Sequence, residues 1–145
     1  MDANYNSNHP AIQVDIPADA EKVELGTVFS GHGQVSPGNC GEFCELQNWF
    51  SINGVSKLVS YPDAGSERGC MYTAEQGTVP NQYGTWWYGR DGWCPGREVP
   101  MELRDISAEV QPGALNTFGY EAYYNGGDHP GGANIVLSAW LIVSK

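Results

Sequence analysis

Lysine and arginine are scarce in this chain: seven of them stand against 17 aspartates and glutamates, for a net charge of −10. A surface with that balance repels a phosphate backbone or an anionic leaflet, so neither nucleic acid nor a membrane surface is an expected partner. No run approaches the ~20 apolar residues of a membrane-spanning helix. The opening stretch Met1-Asp2-Ala3-Asn4-Tyr5-Asn6-Ser7-Asn8 has neither the basic region nor the apolar core of a secretory leader. Helical periodicity of useful length is missing, and so is any internal repeat. Paired Cys-x-x-Cys knuckles are also missing, which argues against a four-thiolate zinc site, and there is no His-x-His pair to hold copper. No metal and no other cofactor is expected.

What is abundant has a different character. Within 145 residues there are 19 Gly, 9 Pro and an even count of four Cys, with 12% aromatic and only 17% charged residues. This is the composition of an exported, loop-rich β-protein with oxidised cysteines. A leaderless start sits poorly with export. The expectation is that Met1 is not the native beginning and that the segment derives from a longer, secreted or extracytoplasmic precursor. The length suits one domain, large enough to bury roughly 70% of its unfolded surface without help from disulfides.

Residues 1–10 are polar and Asn-rich and read as a lead-in or linker, and residues 11–145 read as a single domain. Ile12, Val14 and Ile16 alternate, Pro17-Ala18-Asp19 marks a turn, and Val23, Leu25 and Thr27-Val28-Phe29 continue the period of two. Further strands are predicted at Trp49 to Ile52, Lys57 to Tyr61, Thr85 to Tyr88 and Glu102 to Val110. A closing pair, Asn116 to Tyr124 and Ala133 to Val143, flanks the turn Asn125-Gly126-Gly127. Seven or eight short strands joined by loops of very unequal length predict an all-β fold: an eight-stranded antiparallel jelly-roll sandwich with disulfide-stapled loops. The stretches Gly31 to Asn48 and Pro62 to Gly84 exceed what a structural turn needs, and loops of that length tend to carry function.

Three runs concentrate the chemistry: Ser30-Gly31-His32-Gly33, Asn39-Cys40-Gly41-Glu42-Phe43-Cys44, and Arg90-Asp91-Gly92-Trp93-Cys94-Pro95-Gly96. A carboxylate, a guanidinium, a histidine and aromatic rings lie beside half-cystines, where side chains are hard to move. Glu42 can orient water or bind an amide; the plainer reading is a loop carboxylate satisfied by backbone N–H groups or by solvent. Arg90 can add charge-assisted hydrogen bonds; the plainer reading is a surface ion pair with Asp91, worth roughly 0–1 kcal/mol. Trp93, Phe43 and Trp86, with Trp49, Trp87 and Tyr88, offer apolar faces with polar edges suited to sugar rings or an extended peptide. As alternating strand residues, Trp86, Trp87 and Tyr88 cannot all face one way. His32 and His129 lie in Gly-rich loops, where either a proton-transfer or ligand role or plain solvent exposure fits.

On the run Cys40-Gly41-Glu42-Phe43-Cys44, the later Gly69-Cys70, and Gly84-Thr85-Trp86 leading into Arg90 to Gly96, the chain resembles the C-terminal domain of the peptide:N-glycosidase F family. These are bacterial amidases that release N-linked glycans from asparagine. The resemblance runs from about Ala11 to Lys145. It implies a jelly roll, pairing of Cys40 with Cys44 and of Cys70 with Cys94, and a cleft lined by Glu42, Arg90 and Trp93. On the chain-entropy view the longer ring would contribute roughly 3.5 kcal/mol and the small ring about 2. The small ring therefore adds less stability than shape.

The family's principal catalytic aspartate belongs to an N-terminal domain, in an Asp-Arg motif missing here, and His32 stands where the family carries a tryptophan. The resemblance thus implies the C-terminal half of a glycan amidase, inactive alone, with Glu42 and Arg90 as its catalytic residues. Trp93, Phe43, His32 and Trp86 are the expected substrate contacts. The expected partners are an N-glycan, a glycopeptide or a surface protein, and a missing N-terminal jelly roll. Two alternatives stay open: a stand-alone carbohydrate- or protein-binding module, and an assembly domain of a cell or virion surface.

Overall fold

The computed structural model describes residues 1–33, 41–59, 61, 65–80, 84–129 and 131–145. They form two antiparallel sheets. One contains β1 (Ile12–Ile16), β6 (Ala114–Tyr123), β3 (Gln47–Ile52) and β4 (Val55–Val59), in that order across the sheet. The other places β2 (Lys22–His32) between β5 (Met101–Asp105) and β7 (Asn134–Ser144). A short helix, α1 (Gly69–Tyr72), and a 3₁₀ turn at Ala74–Gln76 lie between β4 and β5. The all-β antiparallel sandwich is as expected, with seven strands among the described residues.

The period of two builds the core. On β2, Val23, Leu25, Thr27 and Phe29 are buried; on β3, Asn48, Phe50 and Ile52 are. Ile16, Val59, Tyr61, Ile106 and Val110 complete the cluster, and Phe29 stacks on Tyr61 with ring centroids 5.6 Å apart. Each fully buried large apolar side chain contributes roughly 1.5–3 kcal/mol. Asn53 and Gly54, both at positive φ (48° and 85°), make the tight β3–β4 hairpin, and Asn53 also bridges to β6 through a hydrogen bond to Thr117 N of 2.9 Å.

Three strand readings change. Asn116 to Tyr124 and Ala133 to Val143 are not a hairpin, because β6 pairs with β1 and β3 while β7 pairs with β2 in the opposite sheet. Among the described residues the Asn125-Gly126 turn closes on an isolated bridge between Tyr124 and Gly127, after which the chain crosses to the other sheet. The expected strand from Glu102 to Val110 ends at Asp105, where Asp105 Oδ1 caps Ser107 N at 2.9 Å and turns the chain. Thr85 to Tyr88 is a turn rather than a strand: Tyr88 N donates to Thr85 O at 3.3 Å, and the carbonyls of Thr85, Trp86 and Tyr88 converge on one guanidinium. Strand geometry sends successive carbonyls to opposite sides and cannot do this.

The polar opening residues touch the sandwich. Asn6 pairs with the backbone of Ala122 in both directions (3.1 and 2.9 Å), and Tyr5 meets Tyr120 edge-on at 6.5 Å. At the end of the sandwich where β2 finishes, the disulfide Cys70–Cys94, with Cα atoms 5.4 Å apart, joins α1 to the loop carrying Arg90 and Trp93. Cys44 is also a half-cystine; its expected partner, Cys40, lies outside the described residues. Replacing Cys70 and Cys94 together by serine is expected to lower unfolding free energy by about 3–4 kcal/mol in urea titration, in line with the size of the ring they close.

Candidate functional site

Backbone hydrogen bonds lace three segments at that end. Gly31 N donates to Asp91 O (2.8 Å), Asp91 N to Glu42 O (2.9 Å) and Glu42 N to Gly33 O (3.1 Å). The fit leaves no room for a side chain at position 31, where a Cβ would collide with Asp91 Oδ2 and with the Gly41 carbonyl. Gly92, at φ 83°, similarly lies against the Phe29 backbone, so the loop sits directly on β2.

Arg90 is the hub, with no exposed surface. Its Nε donates to Glu42 Oε1 at 3.2 Å, Nη1 to the carbonyls of Thr85 (3.1 Å), Tyr88 (3.3 Å) and Trp86 (3.5 Å), and Nη2 to Thr85 Oγ1 (3.4 Å). Its guanidinium carbon stands 4.8 Å over the Phe43 ring and 4.9 Å over Trp93. Burial lowers its pKa, and the Glu42 carboxylate opposes that shift. Trp93 donates from Nε1 to Gly31 O at 2.8 Å, and His32 packs 5.1 Å from its ring while Nε2 bonds Ser30 Oγ at 2.9 Å.

Five expected site residues are therefore brought together: Glu42, Arg90, Trp93, Phe43 and His32. Trp86 is half-buried and meets the group through its carbonyl. His129 is buried elsewhere, its Nδ1 accepting from Gly131 N at 3.0 Å and its ring 5.6 Å from Tyr124.

The reading of Arg90 and Asp91 as a surface ion pair is corrected. Both are fully buried, and the partner of Arg90 is Glu42. Asp91 points the other way: Oδ1 accepts from Leu46 N at 3.1 Å, and Oδ2 is buried without a hydrogen-bond partner. Burial raises its pKa well above the ordinary carboxylate value, the Leu46 N–H opposes this, and the negative charge of Glu45 adds to it. The sequence signal available was an acid next to a glycine in a cysteine-flanked loop; it says "buried" only once the loop is seen lying on β2.

Fold and site together define a disulfide-clamped antiparallel β-sandwich domain that presents a carboxylate–guanidinium pair between aromatic rings. The chain belongs to the family described as Peptide-N-glycosidase F, C terminal, whose pattern matches residues 2–142. It is 28% identical over 141 residues to the peptide-N(4)-(N-acetyl-beta-D-glucosaminyl)asparagine amidase F of Elizabethkingia miricola, covering 91% of this chain and 37% of that protein. The structure of PNGase F, a glycosylasparaginase from Flavobacterium meningosepticum, superposes with a TM-score of 0.71 at 25% identity, over 92% of this chain and 42% of that one. PNGF-II shares the fold, with a TM-score of 0.68 at 14% identity over 99% of this chain and 26% of its own. This chain thus spans well under half the length of these relatives.

Two substitutions probe the site. Because the Asp91 proton is held more tightly in the folded state, its contribution to stability falls as pH rises from the ordinary carboxylate range, about 3.9, towards its raised value. Asp91→Asn is expected to raise the urea midpoint over wild type at pH 7, with the difference shrinking towards pH 4; a pH-independent difference would contradict this. Arg90→Lys keeps the charge but not the fork. It is expected to cost roughly 2–3 kcal/mol and to shift Trp93 emission, since the carbonyls of Thr85, Trp86 and Tyr88 lose a shared donor.

Proposed function

We propose that this chain is the glycan-contacting half of a secreted glycopeptide amidase, with Glu42 and Trp93 meeting the substrate and Arg90 positioning Glu42. The observation that carries this reading is the convergence on Arg90: its Nε holds the partly exposed Glu42 carboxylate, with 15% of that side chain open to solvent, while Trp93 and Phe43 flank the guanidinium. Family membership and the amidase relative support it.

Hydrolysis of a glycosyl-asparagine amide needs activation of water, donors to the developing oxyanion and a proton for the leaving amine. Glu42, held in place by the Arg90 guanidinium, can accept from the substrate amide N–H or orient water. One carboxylate does not also supply the oxyanion donors and the proton for the leaving amine, and the hydrogen bonds of Arg90 already go to Glu42, Thr85, Trp86 and Tyr88. The remaining catalytic group then comes from a companion domain, as the Elizabethkingia relative's greater length allows. The outer face of the three-stranded sheet fits such a neighbour: Met101, Leu103, Val136, Trp140 and Ile142 are all exposed there. The Cys70–Cys94 bond supports an extracytoplasmic location.

Recognition without catalysis is the second reading, favoured by the burial of Arg90, which makes the site rigid but leaves it one reactive carboxylate. In the full-length gene product, Glu42→Gln is expected to slow glycan release from a glycopeptide by about 10²–10³-fold with little change in binding. An unchanged release rate would leave the recognition reading in place of the amidase one.

A further inference from the structure

The rings and cations at this end of the sandwich do not stop at the Glu42–Arg90–Trp93 group. From His32 and Trp93 the contacts pass through Arg90 to Phe43, then to Tyr88, whose ring meets Phe43 edge-on at 6.1 Å. Tyr88 stacks on Trp87 at 5.0 Å, and Arg68 stands 5.8 Å over Trp87. Along the Phe43–Tyr88 part of this ladder runs an open groove of about 370 Å³, lined by Phe43, Tyr88, Glu67, Ser66, Thr85 and neighbouring glycines. That volume lies within the roughly 300–1,000 Å³ of small-molecule sites.

The geometry points to this groove as a second carbohydrate subsite, holding a neutral sugar unit of the glycan beyond the part that meets Trp93; the inference rests on the glycan-binding reading above. Three features select a sugar. Phe43 and Tyr88 offer apolar ring surface and a phenolic hydroxyl side by side, matching the C–H faces and hydroxyl rim of a pyranose. Glu67, exposed in the wall, can accept hydrogen bonds from sugar hydroxyls, whereas in a chain of net charge −10 it repels an acidic ligand. The wall nearest Glu42 is rigid, because the ring of Phe43 is held by Arg90 and the carbonyls of Thr85 and Tyr88 are fixed by the same guanidinium. A site so ordered loses little entropy when a ligand enters.

Calorimetric titration of the whole chain tests this with three neutral probes: N,N′-diacetylchitobiose, the pentasaccharide N-glycan core that extends it by three mannoses, and chitobiosyl-asparagine in a short uncharged peptide. The pentasaccharide is expected to bind about tenfold tighter than the disaccharide. Glu67→Ala, which removes the acceptor, should abolish that gain while leaving the disaccharide affinity unchanged, and Tyr88→Ala should abolish it too. Trp93→Ala should weaken both sugars. If the gain survives Glu67→Ala and Tyr88→Ala in folded variants, the subsite is overturned while the Trp93 site stands. If Tyr88→Ala instead removes a gain seen only with the peptide probe, the groove is a peptide site and the sugar assignment falls. If no probe binds the wild-type chain, the glycan-binding reading falls with it.

Discussion

The buried guanidinium of Arg90 is the interaction on which this end of the molecule depends. A cation with no exposed surface is tolerable only when its donors are met, and here Glu42 and the carbonyls of Thr85, Trp86 and Tyr88 meet them. Those same bonds shape the 84–90 segment as a turn, fix the direction of Glu42 and place Phe43 and Trp93 around one centre. The Cys70–Cys94 bond then ties the loop to α1. The site is a consequence of solving one desolvation problem.

Asp91 shows the complementary arrangement. Adjacent in sequence to Arg90, it faces away from it, and its backbone rather than its carboxylate joins β2 to the Glu42 turn. Two neighbouring ionisable residues thus serve the same corner by opposite means: Arg90 as a charge held by a carboxylate and a set of backbone carbonyls, Asp91 as a carboxyl pushed by burial towards its neutral form. A fold with a core cluster spanning both sheets has the rigidity to hold both.

Much of the fold was legible in the residues. The alternation in Lys22–His32 and Gln47–Ile52 marks the buried faces of β2 and β3, because a pleated strand exposes every second side chain to one side. The family's marks at Glu42-Phe43 and Arg90 to Cys94 picked out segments that do meet. The Asn53-Gly54 hairpin is equally legible, since an Asn-Gly pair between two alternating runs favours positive φ at both positions. What failed were the places where partners are remote: Asn125-Gly126 reads as a hairpin turn, yet β7 is claimed by β2, and the aromatic run at Trp86 and Trp87 has strand propensity that a single buried guanidinium overrides.

By itself the sequence determined the all-β class, the strand faces, the oxidised character of the cysteines and the segments that carry the chemistry, because each rests on local periodicity, composition or short motifs. Only the tertiary structure decided that Arg90 pairs with Glu42 and not with Asp91, that β6 and β7 belong to opposite sheets, and that an aromatic ladder continues past Phe43 to Tyr88 and Trp87. Each of these is a choice among partners distant in the chain, and burial makes that choice: a charge or a sheet edge removed from water takes whichever partner the packing brings within hydrogen-bonding reach.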